Sequence, residues 1–358
     1  MAEYELPFGP VHPGSSNFSV MLTVDGETVK KAKANPGYLH RGFEKLMEYR
    51  TPVQNAVLSD RLCILEPLAW NLVHAEGVEE LRGVEIPEKA EYIRVLLAEL
   101  SRIQSHMIWY GALCMGLGFG TGFQLAFAHR DYILDIFEMI TGGRVYPAGY
   151  ICPGGVRKDL PDGVESKVIE VLDKIGDLLQ RLENPAMEAR LRGVGVLERD
   201  DAVRLGATGP VLRASGKAAD VRKDDPYEVY DRFDFEVPTE EAGDAYARYT
   251  IGIREIEQSM KIVRQALEMP NTKLDPIVPK GADKIPAGEV YIRNEIARGE
   301  AGMYMLADGT NKPYRCKIRG PSLLHAITVL EYLLQDCQVA DVPAIYWSLN
   351  PCPADMDR

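Results

Sequence analysis

The sequence predicts an α+β fold, a central helical bundle flanked by small antiparallel β-sheets. Three observations lead there. Segments rich in β-branched and apolar residues run into Asp-Gly turns near both ends, at residues 18–34 and 288–318. Long stretches with the 3.6-residue apolar period of helices lie between them. Runs of helix bounded by sheet on both sides fit helices packed against antiparallel strands. A single domain of 358 residues is expected. It comprises an N-terminal hairpin region (1–50), a helical core (51–268) and a C-terminal part with strands, a helix and a terminal motif (269–358).

The elements follow in order. Phe18 to Val24 reads as a strand that turns at Asp25-Gly26, with Glu27 to Ala34 returning. A helix opens at Pro87 and carries Ile93, Leu96, Leu97, Leu100, Ile103 and Met107 on one face; proline suits a first turn, where its missing N–H has no intrahelical partner to lose. Phe123 to Ile140 repeats the period and stops before Gly142-Gly143, a C-cap signal. Val164–Leu182, Tyr246–Leu267 and Ser322–Leu334 are further helices. Gly209–Arg213, Gly288–Ile292 and Met303–Ala307 read as strands, the last turning at Asp308-Gly309 into Tyr314–Ile318. Along that final strand Arg315, Lys317 and Arg319 alternate and share one face, fit for a partner, an anion or plain solvent. The Pro-, Lys- and Asp-rich stretch 270–286 reads as a surface loop.

Hydrophobic residues at 46% and charged residues at 26% are ordinary for a globular chain. A net charge of −12 argues against nucleic acid as a partner. The six cysteines form no Cys-x-x-Cys pair, so neither a secreted disulfide scaffold nor an iron–sulfur cluster held by this chain is expected. The N-terminus lacks a signal-peptide pattern, and no run of about 18 apolar residues occurs, so no membrane span is expected. Such a chain can still be a peripheral subunit of a membrane complex.

The chemistry concentrates in two short segments. Arg61-Leu62-Cys63-Ile64-Leu65-Glu66 and Asn350-Pro351-Cys352-Pro353-Ala354-Asp355 each place a cysteine three residues before a carboxylate. Two Cys-x-x-Cys pairs here would read as a four-thiolate metal site; each has its first cysteine and lacks its second. If 61–66 were helical, Cys63 and Glu66 would share a face. Pro67 favours a break there, with a helix starting near it. The bland alternative makes Cys63 a small buried hydrophobe and Pro67 an ordinary first-turn proline.

The chain resembles the large subunit of group 4, energy-converting nickel–iron hydrogenases and the related 49-kDa-type subunit of complex I. The resemblance covers nearly the whole chain: Gly9 to Pro13, Gly37 to Lys45, Glu99 to His106, Gly154 to Arg157, Leu212 to Gly216, Ala297 to Glu300, Pro313 to Lys317 and Asp357-Arg358. In the hydrogenases the matched positions Cys63, Glu66, Cys352 and Asp355 are thiolates that hold nickel and iron. Two thiolates with two carboxylates are a hard–soft mixture ill suited to those metals; zinc could accept such a set in principle, but no His joins it, so no metal is expected. In complex I a His and a Tyr hold the quinone headgroup; the matching positions are about Ser16 and Ile64, which cannot replace them. His12 lies near the first but matches another position.

A third branch, the membrane-bound, ferredoxin-dependent sulfane sulfur reductases, fits the half-retained cysteines best. The resemblance then implies catalytic roles for Cys63, Cys352, Glu66 and Asp355. Arg61 and His106 would lie near a 4Fe–4S cluster of a partner subunit, and Glu44, His40 and His12 would relay protons. No cofactor would be bound by this chain itself. Its partners would be a small iron–sulfur subunit, other peripheral-arm subunits and membrane-arm subunits, with ferredoxin as electron donor, on the cytoplasmic side of the membrane. The rival readings are a nickel–iron hydrogenase, a complex I-like dehydrogenase with another acceptor, and a non-catalytic coupling subunit.

Overall fold

Apolar side chains alternate along strand β2 (Ser19–Asp25), so Val20, Leu22 and Val24 point to one side and are buried. β2 pairs antiparallel with β1 (Tyr4–Phe8) and with β3 (Thr28–Asn35) across the expected turn at Asp25-Gly26. The computed structural model describes residues 3–12, 16–182, 184–277 and 284–358. The buried face of this sheet packs on C-terminal helices through Val329, Leu330, Leu334, Ile345 and Tyr346. The two ends of the chain therefore share one core.

Two short helices follow, α1 (Phe43–Glu48) and α2 (Pro52–Ser59), then α3 (Pro67–Arg82). The bundle is built on α4 (Glu88–Gly116), whose 29 residues extend about 43 Å. α5 (Gly120–Thr141) packs along it and ends on left-handed Gly142, as its sequence indicated. After a two-strand ribbon, β4 (Ile151–Cys152) with β5 (Gly155–Val156), comes α6 (Val164–Leu182), with the bounds read from sequence. Short helices α7 (Pro185–Leu191), α8 (Arg199–Arg204), α9 (Gly209–Arg213) and α10 (Val221–Asp224) lead to α11 (Ala245–Ala266). α11 crosses α4 closely because Gly252 has no Cβ; one would lie 2.1 Å from the Trp109 ring.

The C-terminal sheet runs β6 (Gly288–Ile296), β7 (Gly299–Ala307), β8 (Pro313–Arg319), all antiparallel. Its apolar face, with Val290, Met303, Met305, Cys316 and Ile318, covers Trp70, Val73 and Val78 of α3. The chain closes with α12 (Pro321–Leu324), a π-helical stretch His325–Leu330, and α13 (Glu331–Leu333), α14 (Val342–Ser348) and α15 (Pro353–Asp357).

Several expectations are corrected. Gly209–Arg213 is the helix α9, not a strand: Thr208 precedes it in extended conformation, Pro210 lies in its first turn, and all five of its residues are buried. A short apolar run has no periodicity to tell the two forms apart. Residues 61–66 form turns rather than a helix, and Pro67 is indeed the first residue of α3. Pro87 is the N-cap of α4 rather than a first-turn residue. Within the expected 270–286 loop the described residues carry no helix or strand; 278–283 lie outside the described residues.

Candidate functional site

The turn between α2 and α3 holds Cys63, and Cys352 is the N-cap of α15. Both are buried, and their sulfurs lie 3.1 Å apart across 289 residues of sequence. One guanidinium ties the two segments together. Arg41 donates to the Arg61 carbonyl at 2.7 Å and to the Ala354 carbonyl at 3.2 Å. The Cys352 N–H donates to the Ser322 hydroxyl. Gly320 lets α15 approach, since a Cβ there would lie 2.4 Å from the Asp355 carbonyl oxygen.

The carboxylates differ from each other. Glu66 is fully buried and engaged: Ala297 N–H donates to both its oxygens at 2.9 Å, and Arg298 Nη1 donates at 3.1 Å. Asp355 is equally buried, yet neither of its oxygens has a hydrogen-bond partner. Burial pushes its pKa well above the ordinary carboxylate range, and the charge on Cys352 adds to the effect. Arg298 and the nearby Ser322 side chain pull the other way without reversing it. Burial likewise raises Glu66, against the pull of Arg102 and Arg298.

The thiols behave as one titrating pair. Cys352 is drawn down to about 6 by the hydrogen bond from Cys63, helped by Arg298 and by the Asp355 and Ala354 N–H groups, against its burial. Cys63 is pushed up by burial and by holding the shared proton. The surroundings thus drive the two sulfurs apart, Cys352 toward thiolate and Cys63 toward thiol. Arg298, whose other nitrogen donates to Ser105, is the buried counter-cation.

Sulfurs of Cys63 and Cys352 and an Asp355 oxygen lie within 4.8 Å of one another. A nickel–iron centre does not fit this set. Two of its thiolates are carboxylates here, and Glu66 is already occupied by Ala297 and Arg298.

Other expected residues lie in different surroundings. His106 Nε2 contacts Glu255 at 2.9 Å inside a buried network. Arg213 donates to Glu255 and Glu295, and Arg222 pairs with Glu99 and Asp220. Burial lowers His106, outweighing Glu255, so the ring is neutral and its Nε2–H donates. Arg61 lies near the surface, over the Tyr146 ring, with its guanidinium on the Val57 carbonyl and Asp60. It shares no hydrogen-bond partner with His106. His12 is exposed, 4.6 Å from the Phe8 ring, and Ser16 and Ile64 are exposed.

His40 and Glu44 line one groove of about 350 Å³ with Gly37, Arg315, Asp357 and Arg358. His40 Nδ1 lies 2.7 Å from the Asp357 carbonyl, which can only accept, so the proton is on Nδ1. Glu44 accepts from Ile318 N–H, Lys317 and Arg358, not from Lys45 or Arg41. Burial works to raise its pKa, but those donors outweigh it and hold it below the ordinary range. Arg315, Lys317 and Arg319 do share an exposed face, where they pair with Glu48, Glu44 and Glu300 of the same chain.

Arg298, Arg41 and Ser322 had no assigned role from sequence. Arg298 lies within the shared Ala297–Glu300 segment, the one signal that could have flagged it.

Residues 116–281 and 277–358 match the respiratory-chain NADH dehydrogenase 49 Kd subunit family, and residues 41–117 match the nickel-dependent hydrogenases. The chain belongs to the 49 Kd subunit family. It is therefore a complex I-like oxidoreductase subunit with the hydrogenase large-subunit fold.

Among its relatives is an NADH-quinone oxidoreductase subunit of Thermosipho melanesiensis, 44% identical with all of both chains covered. An F(420)H(2) dehydrogenase subunit of Methanosarcina mazei is 41% identical over 98% of this chain and 96% of that one. A chain in the solved membrane-bound sulfane sulfur reductase, an archaeal respiratory membrane complex, superposes with a TM-score of 0.95. It is 43% identical, over 99% of this chain and 98% of that one.

Proposed function

We propose that this chain is the large subunit of a membrane-bound, ferredoxin-driven respiratory complex that reduces sulfane sulfur and couples this to ion translocation. The observation that carries the reading is the Cys63–Cys352 contact, two buried sulfurs 3.1 Å apart beside the buried carboxyl of Asp355. A thiolate is the form that attacks an S–S bond. Asp355 can give a proton to the departing sulfur, and Arg298 balances the charge. Electrons come from a 4Fe–4S cluster in a small partner subunit, fed by ferredoxin. Arg61, near the surface, and the buried His106 are the residues we expect nearest that cluster. His40 and Glu44 line the groove by which protons pass, with His12 as an outlying member of the relay.

The remaining peripheral-arm and membrane-arm subunits complete the assembly on the cytoplasmic side. Among the described residues no helix is long and apolar enough to cross a membrane, which suits a peripheral place. The likeness to the sulfane sulfur reductase chain supports the acceptor. The NADH-quinone relatives favour a second reading, a dehydrogenase with another acceptor. Against a quinone stands Ile64, which offers no hydrogen bond where the resemblance puts the headgroup tyrosine.

The test uses the intact complex, reduced ferredoxin and polysulfide. Sulfide release that disappears in Cys63→Ser and Cys352→Ser is expected. Unchanged sulfur reduction in both variants, or quinone reduction with none of sulfur, overturns the reading.

A further inference from the structure

We infer that Cys63 and Cys352 work as a two-electron dithiol–disulfide couple, with Cys352 as the attacking sulfur and Cys63 as the thiol that resolves the adduct. The inference rests on the sulfur-reducing reading and deepens it. All six cysteines are described, and this is their one sulfur–sulfur contact. The two segments are held in register from three sides: by the Arg41 clamp on the Arg61 and Ala354 carbonyls, by Ser322 on Cys352 N–H, and by the close approach at Gly320. Asp355 lies within reach of both sulfurs, and its oxygens have no hydrogen-bond partner. Ile64, the neighbour of Cys63, is 43% exposed, so the pair lies directly beneath the surface.

The cycle balances as follows for a dialkyl trisulfide. The Cys352 thiolate attacks an outer sulfur, forming a mixed disulfide and expelling a persulfide, which takes the Asp355 proton. Cys63 then gives its proton to the Asp355 carboxylate and attacks the Cys352 sulfur. A Cys63–Cys352 disulfide forms and an alkyl thiolate leaves. Two electrons from a one-electron iron–sulfur donor, with one proton, restore the thiol and thiolate.

The experiment treats the anaerobic complex with dimethyl trisulfide without ferredoxin, then alkylates and maps the cysteines by mass spectrometry. The wild type is expected to hold the Cys63–Cys352 disulfide, which reduced ferredoxin reopens. Cys63→Ser and Cys63→Ala are expected to stop at a mixed disulfide on Cys352, with turnover down about tenfold or more. Two free thiols in the wild type after trisulfide is consumed, or wild-type turnover in both Cys63 variants, overturns the couple while leaving sulfur reduction standing. Trisulfide left intact without ferredoxin but reduced once reduced ferredoxin is added likewise overturns the couple and leaves sulfur reduction standing; if it is not consumed even with reduced ferredoxin, the functional reading fails instead. Closure by a mild thiol oxidant and reopening by reduced ferredoxin then still supports the couple, and failure of either step sinks it.

Discussion

Two buried charged regions lie on either side of Arg298, and they are built differently. Around α4 and α11 most of the charges satisfy one another, Arg102 Nη1 and His106 Nδ1 being left without a partner. Arg213 reaches Glu255 and Glu295, Arg222 reaches Glu99 and Asp220, and Ser259 and Tyr230 add donors to Glu99. Burial alone would raise Glu255, but Arg213 and His106 hold it ionised well below the ordinary range. In the cysteine pocket no hydrogen bond holds the Asp355 oxygens, burial pushes that carboxyl toward its protonated form, and two sulfurs lie in hydrogen-bond contact. A closed network fixes one structure, whereas an open set of groups retains protons and electrons to exchange. Equal burial therefore hides opposite purposes.

The contrast can be broken from its strong side first. Arg213→Met leaves Glu255 and Glu295 without their cation and is expected to lower stability by about 3–5 kcal/mol, read as a loss of thermal stability. The second test keeps shape and removes the proton: Asp355→Asn is expected to slow sulfide release about a hundredfold. Its effect on stability is expected to be under about 1 kcal/mol, because no hydrogen bond is lost. A comparable stability loss in both variants would erase the distinction.

Acidity gives the third test. Cys352 is drawn below the usual thiol range, to about 6, so its reactive thiolate is present above that pH and lost below it. The rate of the first S–S cleavage is expected to rise about tenfold per pH unit below 6 and to level off above. A rise that begins only near the ordinary thiol value would remove the special status of Cys352. The smallest effect belongs to the exposed face of β8. Lys317→Ala removes a half-exposed ion pair with Glu44 and is expected to change stability by less than about 1 kcal/mol, read from the thermal midpoint.

Local pattern made the long helices legible. α6 follows a strong apolar stripe, and α5 ends at the glycine that can adopt φ 82. β1 escaped notice because it is a five-residue edge strand that carries Pro7, which weakens its signal. α9 was misread because five buried residues have no period. The candidate site was legible as residue types, but its assembly was not. Arg298 meets Glu66 across 232 residues, and Arg41 clamps Ala354 across 313, distances at which spacing carries no information. The idle Asp355 and engaged Glu66 look identical in sequence, and only their neighbours separate them.

The central claim is that the thiol pair stands in place of a nickel–iron centre. Nickel and iron content of the anaerobically purified complex, expressed per copy of this chain, tests it most directly. The account expects no nickel, with all iron assigned to clusters in partner subunits. Nickel in stoichiometric amount with this chain would contradict it and restore hydrogenase chemistry despite Glu66 and Asp355.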